Sequence, residues 1–186
     1  MPNRAIFLDR DGTINEDPGY ISDPANVVLI PQAAEALAGL NKKGFKLIVI
    51  SNQSGIARGI MSSKDVERVN NKINELLLKN NVSIDAFYFC HAHPEFSTPE
   101  ECECRKPSPK LVFEAAEDFE IELNHSYFVG DNVSDIECGK NAGLRTILVK
   151  TGKGVESLSI LQKDNNFPSF VAENLFHAFE FIIAEN

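Results

Sequence analysis

The chain reads as an α/β protein, three layers deep, with helices on both faces of a central parallel sheet. Three features predict this architecture. Short apolar runs rich in β-branched residues recur along the chain, helix-length stretches separate them, and polar, turn-forming clusters follow them. Hydrophobic residues make up 43% of the chain and charged residues 24%, the balance of a soluble folded protein. Its 186 residues fit one domain, expected to span 1–186 around one core.

Strands are expected at Ala5 to Leu8, Leu47 to Ile50, Ala86 to Phe89, Tyr127 to Val129 and Thr146 to Val149. Each is short and apolar at consecutive positions, as a strand covered on both faces is. Helices are expected over Gln32 to Lys43, Ser63 to Lys79, Pro109 to Phe119 and Ser134 to Asn141. Gly44 and Gly143 stand just past two helix ends, where glycine adopts the left-handed conformation that closes a helix, and Ser63 is a candidate N-cap. A last helix is expected from about Val171 to Ala184, while residues 151–169 are the least readable part. Strand and helix alternating in this way form βα units and a Rossmann-like sandwich. The interval from Asn15 to the second strand leaves no space for a large cap domain.

A formal net charge of -9 opposes binding to a phosphate backbone, so nucleic acid is not an expected partner. No apolar run approaches the ~20 residues that cross a bilayer, and the N-terminus enters a strand without a basic, then apolar, leader. A cytoplasmic location without a membrane partner is the expectation. Cys138, alone on a helix, reads as a buried small side chain, and Phe176, Phe179 and Phe181 read as core. His125 reads as exposed. Gly152-Lys153-Gly154 lacks the G-x-x-x-x-G-K-[ST] pattern and reads as a glycine-rich turn.

In open parallel sheets, ligands bind beyond the carboxyl ends of the strands. After the first strand comes Asp9-Arg10-Asp11-Gly12-Thr13-Ile14-Asn15, and after the fourth Gly130-Asp131-Asn132-Val133-Ser134-Asp135. The second strand ends at Ser51, followed by Asn52-Gln53-Ser54-Gly55, a turn offering hydroxyl and backbone N–H donors to phosphate oxygens. Lys106 adds a positive charge. A phosphomonoester is a dianion, and each like-charge pair at ~4 Å costs about 4 kcal/mol at an effective dielectric near 20. A divalent cation therefore has to accompany it, and Asp9, Asp131 and the backbone carbonyl of Asp11 could hold magnesium through oxygen.

The segment from Cys90 through His91, Ala92, His93 and Pro94, with Cys102-Glu103-Cys104, carries enough soft ligands for a closed tetrahedral zinc site. Cys90, Cys102 and Cys104 would be joined by His93, or by His91 in its place. The alternative is a loop that keeps its cysteines as small side chains without metal.

Together these signals resemble the haloacid dehalogenase superfamily over residues 4 to about 150. Asp9-x-Asp11-Gly12-Thr13 matches its first motif, Ser51 the second, Lys106 the third and Gly130-Asp131-x-x-x-Asp135 the fourth. The strings Asp9 to Asn15, Ser51 to Gly59 and Cys104 to Pro107 resemble the D,D-heptose 1,7-bisphosphate phosphatases and their histidinol-phosphate phosphatase relatives. The resemblance implies a magnesium-dependent phosphatase in which Asp9 attacks phosphorus and Asp11 acts as acid and then base. Ser51 and Lys106 would hold the phosphoryl group, Asp131 would bind magnesium, and Asp135 would brace the loop. Substrate contacts would fall to Asp17, Pro18, Gly19, Tyr20, Asn52, Gln53, Ser54, Arg105 and the position of Asn132. That last position is lysine in many heptose phosphatases, so one cation is missing here. The zinc loop at about 90–104 is implied as structural, although Ala92 stands where the family carries its histidine. The expected substrate is a small phosphorylated sugar, D-glycero-D-manno-heptose 1,7-bisphosphate losing its 7-phosphate, with histidinol phosphate as the rival. A nucleic-acid 3′-phosphatase and a non-catalytic binding protein are the alternatives of other classes, and a monomer is expected.

Overall fold

The computed structural model describes residues 3–185; Met1, Pro2 and Asn186, the outermost residues of the expected 1–186 domain, lie outside that range. Six strands, β1 Arg4–Leu8, β2 Phe45–Asn52, β3 Ala86–Cys90, β4 Tyr127–Gly130, β5 Arg145–Val149 and β6 Phe170–Ala172, form one parallel sheet in the order β3-β2-β1-β4-β5-β6. The helices are α1 Ala33–Lys42, α2 Ser63–Leu77, α3 Pro99–Cys102, α4 Lys110–Asp118, α5 Val133–Asn141, α6 Gly154–Lys163 and α7 Leu175–Ala184. This is the predicted Rossmann-like sandwich.

Alternate strand residues feed two cores. Ile6, Leu8, Leu47, Val49, Val129 and Ile147 pack with α1, α2 and α7 on one face. Ala5, Phe7, Ile48, Ile50 and Phe128 pack with α4 and α5 on the other. With both faces covered, the strand interiors Ile6–Leu8, Leu47–Ile50 and Ile147–Val149 are apolar at consecutive positions, which is why the runs lack an alternating pattern. Each large side chain buried this way contributes about 1.5–3 kcal/mol.

Gly44 and Gly143 close their helices with φ of 85° and 76°. The start of α2 differs from expectation by one residue. Ser62, not Ser63, is the N-cap: its hydroxyl accepts from the Asp65 N–H, and the Asp65 carboxylate accepts from the Ser62 N–H at 2.7 Å. The expected last helix divides. Phe170–Ala172 pair with β5 as β6, and α7 begins only at Leu175, where the Asn174 side chain accepts from the His177 N–H. Residues 151–169 contribute α6, held by Leu161 packing with Ile136 and Leu148.

The chain runs outward from β1 to β2 and β3, returns to β4 beside β1, and then proceeds the other way to β5 and β6. The crossovers therefore diverge between β1 and β4, and a crevice opens at the carboxyl ends of those strands. Before α1, the β1–β2 connection holds only the 3₁₀ turn Pro24–Asn26, so no cap domain covers the crevice. Among the described residues no helix is long and apolar enough to cross a membrane.

Candidate active site

Asp9 follows β1 directly, and its N–H donates to the Val129 carbonyl of β4 at 3.0 Å. Leu8 and Val129 are register partners, so Asp131, just beyond β4, arrives beside Asp9. Asp135, in the first turn of α5, completes a trio whose ligand oxygens all lie within 4.8 Å of one another, the one such group of metal-ligating side chains among the described residues. Lys106 reaches in from the far side of β2. Its Nζ lies 2.8 Å from Asp9 Oδ1 and 2.7 Å from Asp135 Oδ1, and donates to the Ile50 carbonyl at 2.7 Å.

Three carboxylates thus face one ammonium. Burial, reinforced by Asp135 and Asp131, pushes the Asp9 carboxyl up to about 8 despite Lys106. Burial and then Asp135 raise Asp131 to about 7. Burial opposes the charge of Lys106, but Asp135 and Asp9 outweigh it and raise its pKa. With all three acids ionised, two negative charges remain uncompensated, and every available donor is a hard carboxylate oxygen. Those properties fit magnesium. The surrounding turns are shaped to admit Asp131. Gly12 (φ +82°) and Gly152 (φ +54°) approach it so closely that a Cβ would sit 2.2 and 2.1 Å from Asp131 Oδ2. The same oxygen accepts from the Lys153 N–H at 2.7 Å.

The Asp11 side chain is held apart from this trio. It accepts from Arg10 Nη2 at 2.8 Å, from Asn15 Nδ2 at 2.9 Å and from Gln53 Nε2 at 2.9 Å. Arg10 is itself 1% exposed and also donates to Asn70 and Gln53. Sequence reasoning passed over Arg10. The available signal was its position: an arginine at the mouth of a doubly covered strand must find acceptors, and Asp11 is adjacent.

A cavity of about 480 Å³ opens above these groups, a size suited to a sugar phosphate. Of the sequence-predicted residues, Asp9, Asp11, Asp17, Gly19, Tyr20, Asn52, Gln53, Ser54, Arg105, Lys106, Asp131, Asn132 and Asp135 line it. Ser51 and Pro18 do not belong to that lining. Ser51 is buried at the end of β2, where its hydroxyl accepts from Gln53 Nε2 at 3.3 Å. Asn52 clamps the Lys106 backbone, accepting from its N–H at 3.0 Å and donating to its carbonyl at 3.2 Å. The wall also includes Ser134 and Lys153, neither of them singled out from sequence. Lys153 was legible as a cation just past β5, at the ligand-binding edge; the expected glycine-rich turn is present, and it also brings Lys153 to the cavity wall.

The cysteine and histidine loop departs from expectation. Cys90 and Cys104, with Cα atoms 5.5 Å apart, are joined in a disulfide, and Cys102 is free. His93 is turned away: its Nε2 lies 2.8 Å from an Arg58 guanidinium nitrogen, its Nδ1 accepts from the Glu95 N–H, and its ring packs against Phe96. His91 is exposed. The zinc set of Cys90, His93 (or His91), Cys102 and Cys104 is therefore not assembled, because two sulfurs are bonded to each other and the imidazole is engaged elsewhere. In this arrangement they do not form a zinc site.

Comparison with known proteins supplies the relationship. A HAD-hydrolase-like family model matches residues 103–178. A protein of Chlorobaculum tepidum named D-glycero-D-manno-heptose-1,7-bisphosphate 7-phosphatase is 46% identical over 184 residues, 94% of this chain and 92% of that one. The Escherichia coli K12 protein named D-glycero-beta-D-manno-heptose-1,7-bisphosphate 7-phosphatase is 40% identical over 155 residues, 81% of each chain. Among solved structures, the D,D-heptose 1,7-bisphosphate phosphatase of B. bronchiseptica, complexed with magnesium and phosphate, superimposes with a TM-score of 0.88 at 28% identity, covering 98% of this chain and 99% of that one. The fold, the four sequence motifs and this extent of identity together establish that the chain belongs to the haloacid dehalogenase-like phosphatases, which are phosphoric monoester hydrolases.

Proposed function

We propose that this phosphatase removes the 7-phosphate from D-glycero-D-manno-heptose 1,7-bisphosphate through an aspartyl-phosphate on Asp9, within a single domain whose pocket is shaped by loops. The observation that carries the reading is the excess of buried negative charge where Asp9 meets Asp131 and Asp135. The 46% identity to the Chlorobaculum tepidum heptose phosphatase supports the substrate.

Asp9, Asp131 and the Asp11 carbonyl would hold magnesium, which when bound supplies the charge that keeps Asp9 ionised beside a phosphate dianion. An Asp9 carboxylate oxygen attacks phosphorus, and the bond from phosphorus to the sugar oxygen breaks. Asp11 gives that oxygen its proton. Water then attacks phosphorus, Asp11 takes a proton from it, and the bond to Asp9 breaks to release inorganic phosphate. Lys106 faces the charge on the transferring group, and the Ser51 hydroxyl, outside the cavity lining here, would turn into it to hold one of its oxygens. Asp135 orients Lys106 through their 2.7 Å ion pair. Arg10, Asn15 and Gln53 hold the Asp11 carboxylate in the ionised form that takes the proton from water.

A phosphate-release panel containing both anomers of the heptose bisphosphate and histidinol phosphate, with and without magnesium, tests this reading. It requires magnesium-dependent turnover with the highest kcat/KM on a heptose bisphosphate. A higher value on histidinol phosphate would defeat the substrate assignment.

A further inference from the structure

A bisphosphate presents two dianions, and only one of them reaches Asp9. The other needs a cation away from the reacting centre. Lys106 is not available for it, being 2% exposed and shared among Asp9, Asp135 and the Ile50 carbonyl. Asn132 carries no charge, and its side chain is engaged in capping α5, accepting from the Ser134 N–H and hydroxyl.

Lys153 combines a fixed backbone with an exposed, loosely paired ammonium. Its N–H donates to Asp131 Oδ2 at 2.7 Å, and the neighbouring Thr151 hydroxyl donates to the Gly12 carbonyl at 2.6 Å, tying the β5 loop to the turn that carries Asp11. The side chain runs along the cavity wall and is 60% exposed, with Nζ 3.6 Å from Asp17 Oδ2. An ion pair this long and this accessible is weak, so a phosphate dianion readily displaces Asp17 from the ammonium. The main chain of residue 153 thus registers the reacting centre while its side chain guards the mouth.

We propose that the Lys153 ammonium binds the non-reacting phosphate of a bisphosphate substrate and selects bisphosphates over monophosphates. The inference rests on the bisphosphate reading above and gives Lys153, alongside Arg105 on the same cavity wall, a charge that Asn132 cannot supply.

The test compares wild type, Lys153→Ala and Lys153→Arg on heptose 1,7-bisphosphate and on para-nitrophenyl phosphate, at low and high salt. Lys153→Ala should lower kcat/KM on the bisphosphate by about 10- to 100-fold, mostly through KM, the scale of a lost hydrogen bond to a charged group. That loss should exceed any loss on para-nitrophenyl phosphate by about tenfold or more, shrink at high salt, and be largely restored in Lys153→Arg. Equal losses on both substrates would assign Lys153 to loop structure and overturn the proposal, as would an unchanged bisphosphate rate. A wild type that fails to prefer the bisphosphate overturns the substrate reading itself, an outcome distinct from either.

Discussion

The crevice between β1 and β4 gathers acids from segments far apart in sequence, whereas the loop from β3 to α4 holds cysteines and histidines that are close in sequence yet do not converge. In the crevice, each acid is tied to a strand end: Asp9 follows β1, Asp131 follows β4, and the parallel register places those ends together. In the loop, residues 91–98 precede the short helix α3, and the side chains settle on separate partners, Cys104 for Cys90 and Arg58 for His93. Proximity in a sheet is enforced by register and a covered core. Proximity in a loop has no such register to enforce it.

The sharpest way to break this contrast is at Asp9. Asp9→Asn should reduce kcat by roughly 10⁴-fold or more, with far-UV circular dichroism unchanged, because a nucleophile rather than a packing group is lost. Substantial turnover in this variant would remove Asp9 from the chemistry. Lys106→Met should lower kcat by about 10²–10³-fold, the scale of losing one charge-stabilising donor. It should also lower thermal stability, since Asp9 and Asp135 lose their buried counter-charge; an unchanged melting temperature would mean that the ion pairs contribute nothing to folding.

In the loop, the expected effect is on stability. Thiol titration of unfolded, unreduced protein should find two free cysteines, Cys102 and Cys138, and four would contradict the disulfide. Reducing it opens a loop with a sequence separation of 14 and should cost about 3 kcal/mol of stability, with far less effect on kcat than Asp9→Asn has.

A smaller effect comes from pH. The folded-state pKa values of Asp9 and Asp131 are raised from 3.8 to about 8 and about 7, so the metal-free fold favours their protonated forms. The stability from those forms is present below about 4 and lost as pH rises toward 8. In a chelator, the melting temperature should therefore fall by a few degrees between pH 6 and 8, and magnesium should reverse the fall most at pH 8. A melting curve indifferent to magnesium at pH 8 would contradict the cation-binding role of the trio.

The sheet was legible because its strands are covered on both faces and therefore read as unbroken apolar runs. The segment Phe170 to Ala172 escaped because it leads into the apolar face of α7 with only Glu173 and Asn174 between, and Asn174, the actual cap, was not weighed as one. Asp9 and Asp131 could be read from sequence because each directly follows a strand. Arg10 and Lys153 needed coordinates: what an arginine beside Asp11 grips, and which wall a lysine after β5 joins, depend on elements distant in the chain. The disulfide was hidden for a related reason, since spacing alone does not decide between a shared metal and a bond between two of its candidate ligands.

The central claim, that phosphate passes through a covalent bond to Asp9, is open to direct chemical capture. Protein quenched during turnover and treated with borohydride should carry homoserine at position 9, because that reagent reduces an acyl phosphate but spares a free carboxylate. Peptide mass mapping reads the position. Modification confined to Asp9, and absent without substrate, is the predicted result; turnover without any modified aspartate, or with modification at another one, would contradict the account.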